Sequence, residues 1–345
     1  MLAFRRPLLR ITHLGAALLA ATLLVSCTPA PVEQADTLTA LDPDAGPPLP
    51  PDSSLEAPGE KDPVVETKEN WPGSLRPDDK TPEERVPSIV NRGRIIVGVD
   101  QSQNLLSFRD PVTGELRGFE IELAREISRD IFGDPNRVDF RFVGSADRLR
   151  SLDQGDVDIV IRSVAITDER AKLVEFSTPY LQTQTRMLTM ESSGISSIAD
   201  LPGHTICVTE GSTSLQRART IAPESSILRT RNWSDCLMAL QQHQAQVILG
   251  DDVILSGIAA QDPYTEILDT ALDSQFYGVA ATSTTAGTDS SGLIRQVNST
   301  IERIREDRTW WTMFNDWFGP YLWSYGPPQL QYMPEEEGAD NNEGQ

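Results

Sequence analysis

Apolar positions between residues 88 and 330 recur in two rhythms that keep exchanging places. RIIVGV (94–99) is a continuous apolar run, as in a strand buried on both faces. In GFEIELAREISRDIF (118–132), Phe119, Leu123, Ile127 and Ile131 stand four apart, which predicts a helix with one apolar face. VDFRFV (138–143) alternates like a strand, DRLRSLDQG (147–155) reads as a short helix stopped by Gly155, and VDIVIRSVA (157–165) reads as the next strand. A second series follows: TICVT (205–209), a helix near DCLMALQQHQ (235–244), and QVILG (246–250). YGVAAT (277–282), a long helix SGLIRQVNSTIERIRED (291–307) and the aromatic run WWTMFNDWFGPYLW complete the pattern.

Strands alternating with helices define an α/β class with parallel sheets covered on both faces. The two series, each about a hundred residues long, predict two lobes. Open sheets of this kind bind ligands beyond the carboxyl ends of their strands, so a cleft between two such edges suits a small molecule. Five aromatic residues, Trp310, Trp311, Phe314, Trp317 and Phe318, have the spacing of a helix packed onto lobe one, with a carbohydrate or nucleic-acid platform as the alternative.

The flanks are different material. Arg5, Arg6 and Arg10 precede the short apolar stretch LGAALLAATLLV (14–25), which reads as an export signal. It is too short to span a bilayer. It ends in Leu24-Val25-Ser26-Cys27, which resembles the bacterial lipobox. Residues 1–26 are therefore expected to be a lipoprotein signal peptide, and Cys27 the lipidated residue that anchors the chain to the outer face of the bacterial cytoplasmic membrane. A plain signal peptide with an incidental cysteine is the alternative. Residues 28–87 hold 13 of the chain's 24 prolines, many acids and little apolar periodicity. Such a composition predicts a disordered tether over 27–87, and the acidic end (331–345) predicts a solvated tail. Export places Cys207 and Cys236 in an oxidising compartment, where an even pair favours a disulfide over two buried thiols.

Charge narrows the partners. The 345 residues carry 30 basic and 51 acidic side chains, a formal charge of −21, which argues against nucleic acid. His204 and His243 build no Ser-His-Asp or Cys-His set, and no phosphate loop or zinc pair is present, so neither a catalytic residue, a metal nor a cofactor is expected. The pair Asp251-Asp252 has no nearby histidine or third acid to make it a metal site.

At three places the chain resembles one family. GFEIELAREIS (118–128) is similar to the signature helix of the family 3 extracellular solute-binding proteins, which serve amino-acid uptake, with Ser128 a modest departure. ITDERAKLVEFSTPY (166–180) matches the family's second hallmark, and DWFG (316–319) resembles its C-terminal Lys-Trp-Phe-Gly. VTEGSTS (208–214), DCLMAL and LGDDVILSGIAAQDP (249–263) look most like the actinobacterial glutamate- and glutamine-binding lipoproteins. The resemblance covers residues 88–325. It implies a type II periplasmic-binding-protein fold: lobe one at 88–186 plus 280–330, lobe two at 187–279, and chain crossings near 184–190 and 275–281. Such lobes close on a ligand about a hinge.

It also implies a ligand set. Arg170 falls on the family's carboxylate-binding arginine, whose planar fork suits an α-carboxylate; a surface ion pair with Asp168 or Glu169 is the alternative. Backbone N–H groups near Ala165 and Thr213 complete that shell. Asp251 matches the acid that holds the α-ammonium, with Asp252 solvated or hinge-related. Ser145 and Arg148 line up with residues that hold a distal carboxylate, as does Ser163, although Arg148 could instead sit on the exposed face of its helix. Asp100 pulls the other way, since an acid there repels a distal carboxylate and accepts an amide. The ligand implied is glutamate or aspartate, with glutamine or asparagine as the rival. The partner implied is an ABC-type permease, or a membrane sensor protein in a signalling variant; a dehydratase-type enzyme on the same fold is a third class.

Overall fold

The computed structural model describes residues 46–64, 67–68, 70–283, 289–324 and 326–334. Cys27, the signal segment, the first part of the tether and residues 335–345 lie outside them. From Leu49 onward the chain forms one unit. Its first strands are β1 (Ser54–Glu56), β2 (Ile95–Val99), β3 (Ser102–Gln103), β4 (Ser107–Arg109), β5 (Leu116–Arg117), β6 (Val138–Phe142), β7 (Ile159–Val160) and β8 (Val174–Phe176). They are followed by β9 (Leu181–Met190), β10 (Thr205–Thr209), β11 (Ser226–Thr230), β12 (Val247–Asp251), β13 (Thr265–Ile267), β14 (Asp273–Tyr277) and β15 (Ala280–Thr282).

Two sheets divide these strands into lobes. Lobe one has the order β6-β2-β7-β15-β8, with β2 parallel to both β6 and β7. Lobe two has the order β1-β11-β10-β12-β9-β13, with β14 also paired to β9. There β10 runs parallel to β11 and β12, whereas β9 is antiparallel to β12, β13 and β14. Both sheets are therefore mixed: the alternating βα units give the parallel pairs, and the strands flanking each crossing add antiparallel ones. A small antiparallel sheet, β3-β4-β5, extends lobe one beyond the sequence pattern.

The helix at Phe119–Phe132 buries Phe119, Leu123, Ile127 and Ile131, the four residues spaced along its apolar face. Val174–Phe176 belongs to the lobe-one sheet and Leu181–Met190 to the lobe-two sheet. The first crossing thus lies at residues 177–180, earlier than the 184–190 expected, because LQTQTRMLTM forms one long lobe-two strand. The second crossing, at 278–279, falls within its expected range. Helix Thr309–Phe318 packs its aromatic face on lobe one: the Trp310 and Phe318 rings meet Phe119, and Trp310 Nε1 donates to Tyr180 O in the first crossing at 2.8 Å.

The tether expectation fails for its described second half. β1 pairs antiparallel with β11 and extends the lobe-two sheet, while Glu56, only 2% exposed, meets Arg219 through two oxygens at 2.9 and 2.8 Å. Further on, Thr67 and Asn70 bond Asp168 in lobe one, and Lys68 reaches Asp273 in lobe two at 2.9 Å. Trp71 packs against the lobe-one core, and helices Pro82–Arg85 and Pro87–Arg92 lead into β2. A proline-rich stretch lacks a core of its own, yet it can dock on an existing sheet edge, which composition does not register. The tail likewise begins bound, with Gln331 N donating to Thr178 Oγ1 and Tyr332 OH to Glu302.

Candidate functional site

Nearly every residue singled out in the sequence stands just past the carboxyl end of a parallel strand. Asp100 follows β2, Ser145 and Arg148 follow β6, Ser163, Ala165 and Arg170 follow β7, Thr213 follows β10, and Asp251 ends β12. Seven of them line one cavity between the lobes: Ser145, Arg148, Ser163, Ala165 and Arg170 from lobe one, and Thr213 and Asp251 from lobe two. The cavity measures about 10 Å³, the room of a single water. The lobes are therefore shut against each other, and an amino acid enters only when they part.

The cationic side is built by Arg148 and Arg170, both buried. Arg148 Nη2 donates to Gly211 O at 3.0 Å, and Arg170 Nη2 donates to the same oxygen at 3.1 Å. Arg170 Nη1 also donates to Ala165 O at 2.9 Å. Two guanidinium groups thus converge on one oxygen across the cleft. A carboxylate offers two charged oxygens in place of that neutral carbonyl, and charge-assisted bonds are about twice as strong. Asp168 accepts from Asn70 N at 3.1 Å and from the Thr67 hydroxyl. Gly211 has φ +74, and a Cβ there would lie 3.1 Å from the Ala146 Cα, so a side chain there would meet both backbone strain and a tight contact across the cleft.

The anionic side is Asp251. Its Oδ1 accepts from Thr185 Oγ1 at 2.9 Å and its Oδ2 from the Tyr277 hydroxyl at 2.5 Å. Burial pushes its pKa up to about 6, against the pull of those two hydroxyl donors. A buried carboxylate of this kind gains most from a cation. A relay links it to Thr213 within lobe two: Thr213 Oγ1 donates to Gln275 Oε1 at 2.8 Å, and Gln275 Nε2 donates to Thr185 Oγ1 at 3.0 Å. Asp252 faces away, accepting from Thr183 Oγ1 at 2.6 Å and Gln184 N at 3.2 Å beside the first crossing.

Ser163 shortens β7 relative to the strand expected over 157–165. Its φ is +48, a left-handed value that costs roughly 1–2 kcal/mol for a non-glycine residue. That turn aims its N–H at Glu120 Oε1, 2.7 Å away, which the Tyr180 hydroxyl also reaches at 2.6 Å. Desolvation raises the Glu120 pKa despite these donors.

Asp100 is not among the lining residues. Its Oδ1 accepts from Gln101 N, Ser102 N and the Ser102 hydroxyl, and its Oδ2 pairs with Arg162 Nη2 at 2.5 Å. Arg162 does line the cavity, together with Trp233, Ser212, Ser214 and Ile254, none of which was singled out in the sequence. A charge inside the apolar run IVIRSVAI was the available signal for Arg162, because a strand interior rarely holds one without a partner. Trp233 gave no such signal, since its indole is placed by the turn into helix Trp233–Gln241. Cys207 and Cys236 form a disulfide that ties β10 to that helix, with a Cα–Cα distance of 5.5 Å. Among the described residues no group of three or more His, Cys, Asp or Glu is placed to hold a metal, and no helix is long and apolar enough to cross a membrane.

Two α/β lobes thus meet with converging arginines on one side of the cavity and a carboxylate on the other. Residues 95–320 match the bacterial extracellular solute-binding proteins, family 3, and the chain belongs to that family. It is 36% identical over 194 residues to a glutamine-binding protein of Geobacillus stearothermophilus, covering 56% of this chain and 74% of the relative. It is 25% identical over 232 residues to the glutamate-binding protein GluB of Corynebacterium efficiens, covering 64% and 77%. Among solved structures, the solute receptor for L-cysteine of Neisseria gonorrhoeae superposes with a TM-score of 0.65 at 22% identity, over 71% of this chain and 99% of that one.

Proposed function

We propose that the protein captures a free α-amino acid of the glutamate or glutamine type outside the cytoplasm and presents it to an ABC-type permease, held at the membrane through a lipidated Cys27. The observation that carries this reading is the opposition of charge across one closed cavity. Arg170 and Arg148 share one acceptor on one side, and Asp251 stands on the other. An α-carboxylate replaces Gly211 O on Arg170, and an α-ammonium meets Asp251. Ser145 and Ser163 offer hydroxyls to the ligand side chain, while the Ala165 and Thr213 backbones border the carboxylate. The lining arginines outnumber the lining acid, which favours a ligand with a second carboxylate. The glutamine-binding relative supports the amide as its rival.

Removing one partner of a desolvated charge pair costs about 2–5 kcal/mol, at least about thirtyfold in affinity. Calorimetry of Arg170→Ala and Asp251→Ala should show that loss for glutamate and glutamine alike. A variant of either kind that binds both amino acids as wild type does would defeat the assignment.

A further inference from the structure

Arg148 and Arg170 meet at Gly211 O, so both guanidinium groups serve one region of the cavity. Arg162 lies on another footing. It is 1% exposed, is held through Nη2 by Asp100, and lines the same cavity. Its Nε is buried and has no hydrogen-bond partner among the described residues. A buried donor left unmatched costs about 1–3 kcal/mol, so a fold keeps one at a binding cleft most readily when a ligand supplies the acceptor.

We propose that the Arg162–Asp100 pair selects the ligand's side chain, with Arg162 Nε donating to its distal oxygen and Asp100 setting how much positive charge that oxygen meets. This rests on the amino-acid reading above. A glutamate carboxylate and a glutamine amide both present an oxygen to Nε, so the donor alone does not separate them. The charge behind the donor does. With Asp100 in place the pair is neutral overall and tolerates the amide. Without its charge, Arg162 carries a buried positive charge that Asp100 no longer balances, which a second carboxylate neutralises and an amide does not. Asp100 is thus a positioning residue that acts through Arg162. The sequence signal that pointed from Asp100 towards an amide finds its physical route here.

The test is calorimetry with L-glutamate and L-glutamine on wild type, Asp100→Asn, Arg162→Gln and the double variant, alongside the Tm of each. Asp100→Asn should shift the affinity ratio towards glutamate by about tenfold or more, and Arg162→Gln should shift it towards glutamine by as much. The double variant, neutral again, should return to a near wild-type ratio with both affinities weakened by loss of the donor. An unmoved ratio in the folded single variants overturns the proposal. If the single variants do not fold, a double variant with both wild-type affinities overturns it instead. A wild-type protein that binds neither amino acid overturns the amino-acid reading along with this one, whereas binding with an unmoved ratio overturns this one alone.

Discussion

Asp251 concentrates the cost of the site in one residue. Burial holds its pKa near 6, above the ordinary aspartate value of 3.8. A carboxyl whose folded pKa is raised stabilises the fold below its unfolded pKa, and that contribution is lost as pH rises through about 6. Asp251→Asn should therefore raise the Tm of the ligand-free protein relative to wild type at pH 8 and leave it nearly level at pH 4. The same carboxylate is what an ammonium needs, so the proton competes with the ligand. Wild-type affinity should fall as pH drops below about 6, by up to tenfold per unit, with proton release on binding. Calorimetry in buffers of different ionisation heat reads that proton directly. Affinity independent of pH between 5 and 7 would show that Asp251 does not face the ammonium.

Among the elements, the segment from β1 to Trp71 departs furthest from its composition. The helices and strands of the core were legible because period and length agree: RIIVGV and GFEIELAREISRDIF became β2 and Phe119–Phe132 within a residue or two. The candidate site was legible to the same depth, since residues at strand ends gather wherever the sheet puts them. Arg162 and Trp233 were not, because their role depends on which neighbours face them across the cleft. β1 was hidden for a related reason: SLE has no apolar pattern, and its stability comes from the β11 edge and from Arg219. The nearby guanidinium bonds hold the Glu56 carboxyl below its ordinary value, a contribution present above pH 4.5 and lost as pH falls beneath it. Glu56→Gln should lower stability by about 1–3 kcal/mol at pH 7, with the gap to wild type closing at low pH. Urea unfolding of both proteins reads this, and a segment hanging free would leave the two curves superimposed.

At the level of the whole molecule, closure depends on close backbone approach at two glycines. Gly211 meets Ala146, and a Cβ on Gly257 would lie 2.2 Å from Asn104 O. Gly257 sits inside helix Asp252–Ala259, where alanine is favoured over glycine by about 1 kcal/mol. Gly257→Ala should weaken ligand binding, because in the closed form the added methyl keeps lobe two off the β3–β4 loop. Small-angle scattering should show that variant failing to contract on addition of ligand. Undiminished contraction and affinity would mean that the lobes close elsewhere.

The fold, the opposed charges and the shut cleft support the central proposal, that the two lobes grip both α groups of a free amino acid. Titration calorimetry of the protein with L-glutamate, L-glutamine, and the N-acetyl and α-amide forms of each tests this most directly. At least one free amino acid should bind, and either blocked form of it should bind at least about thirtyfold more weakly, since each block removes one charged contact worth about 2–5 kcal/mol. Equal binding of the free and N-acetylated forms, or no binding of either free amino acid, would contradict it.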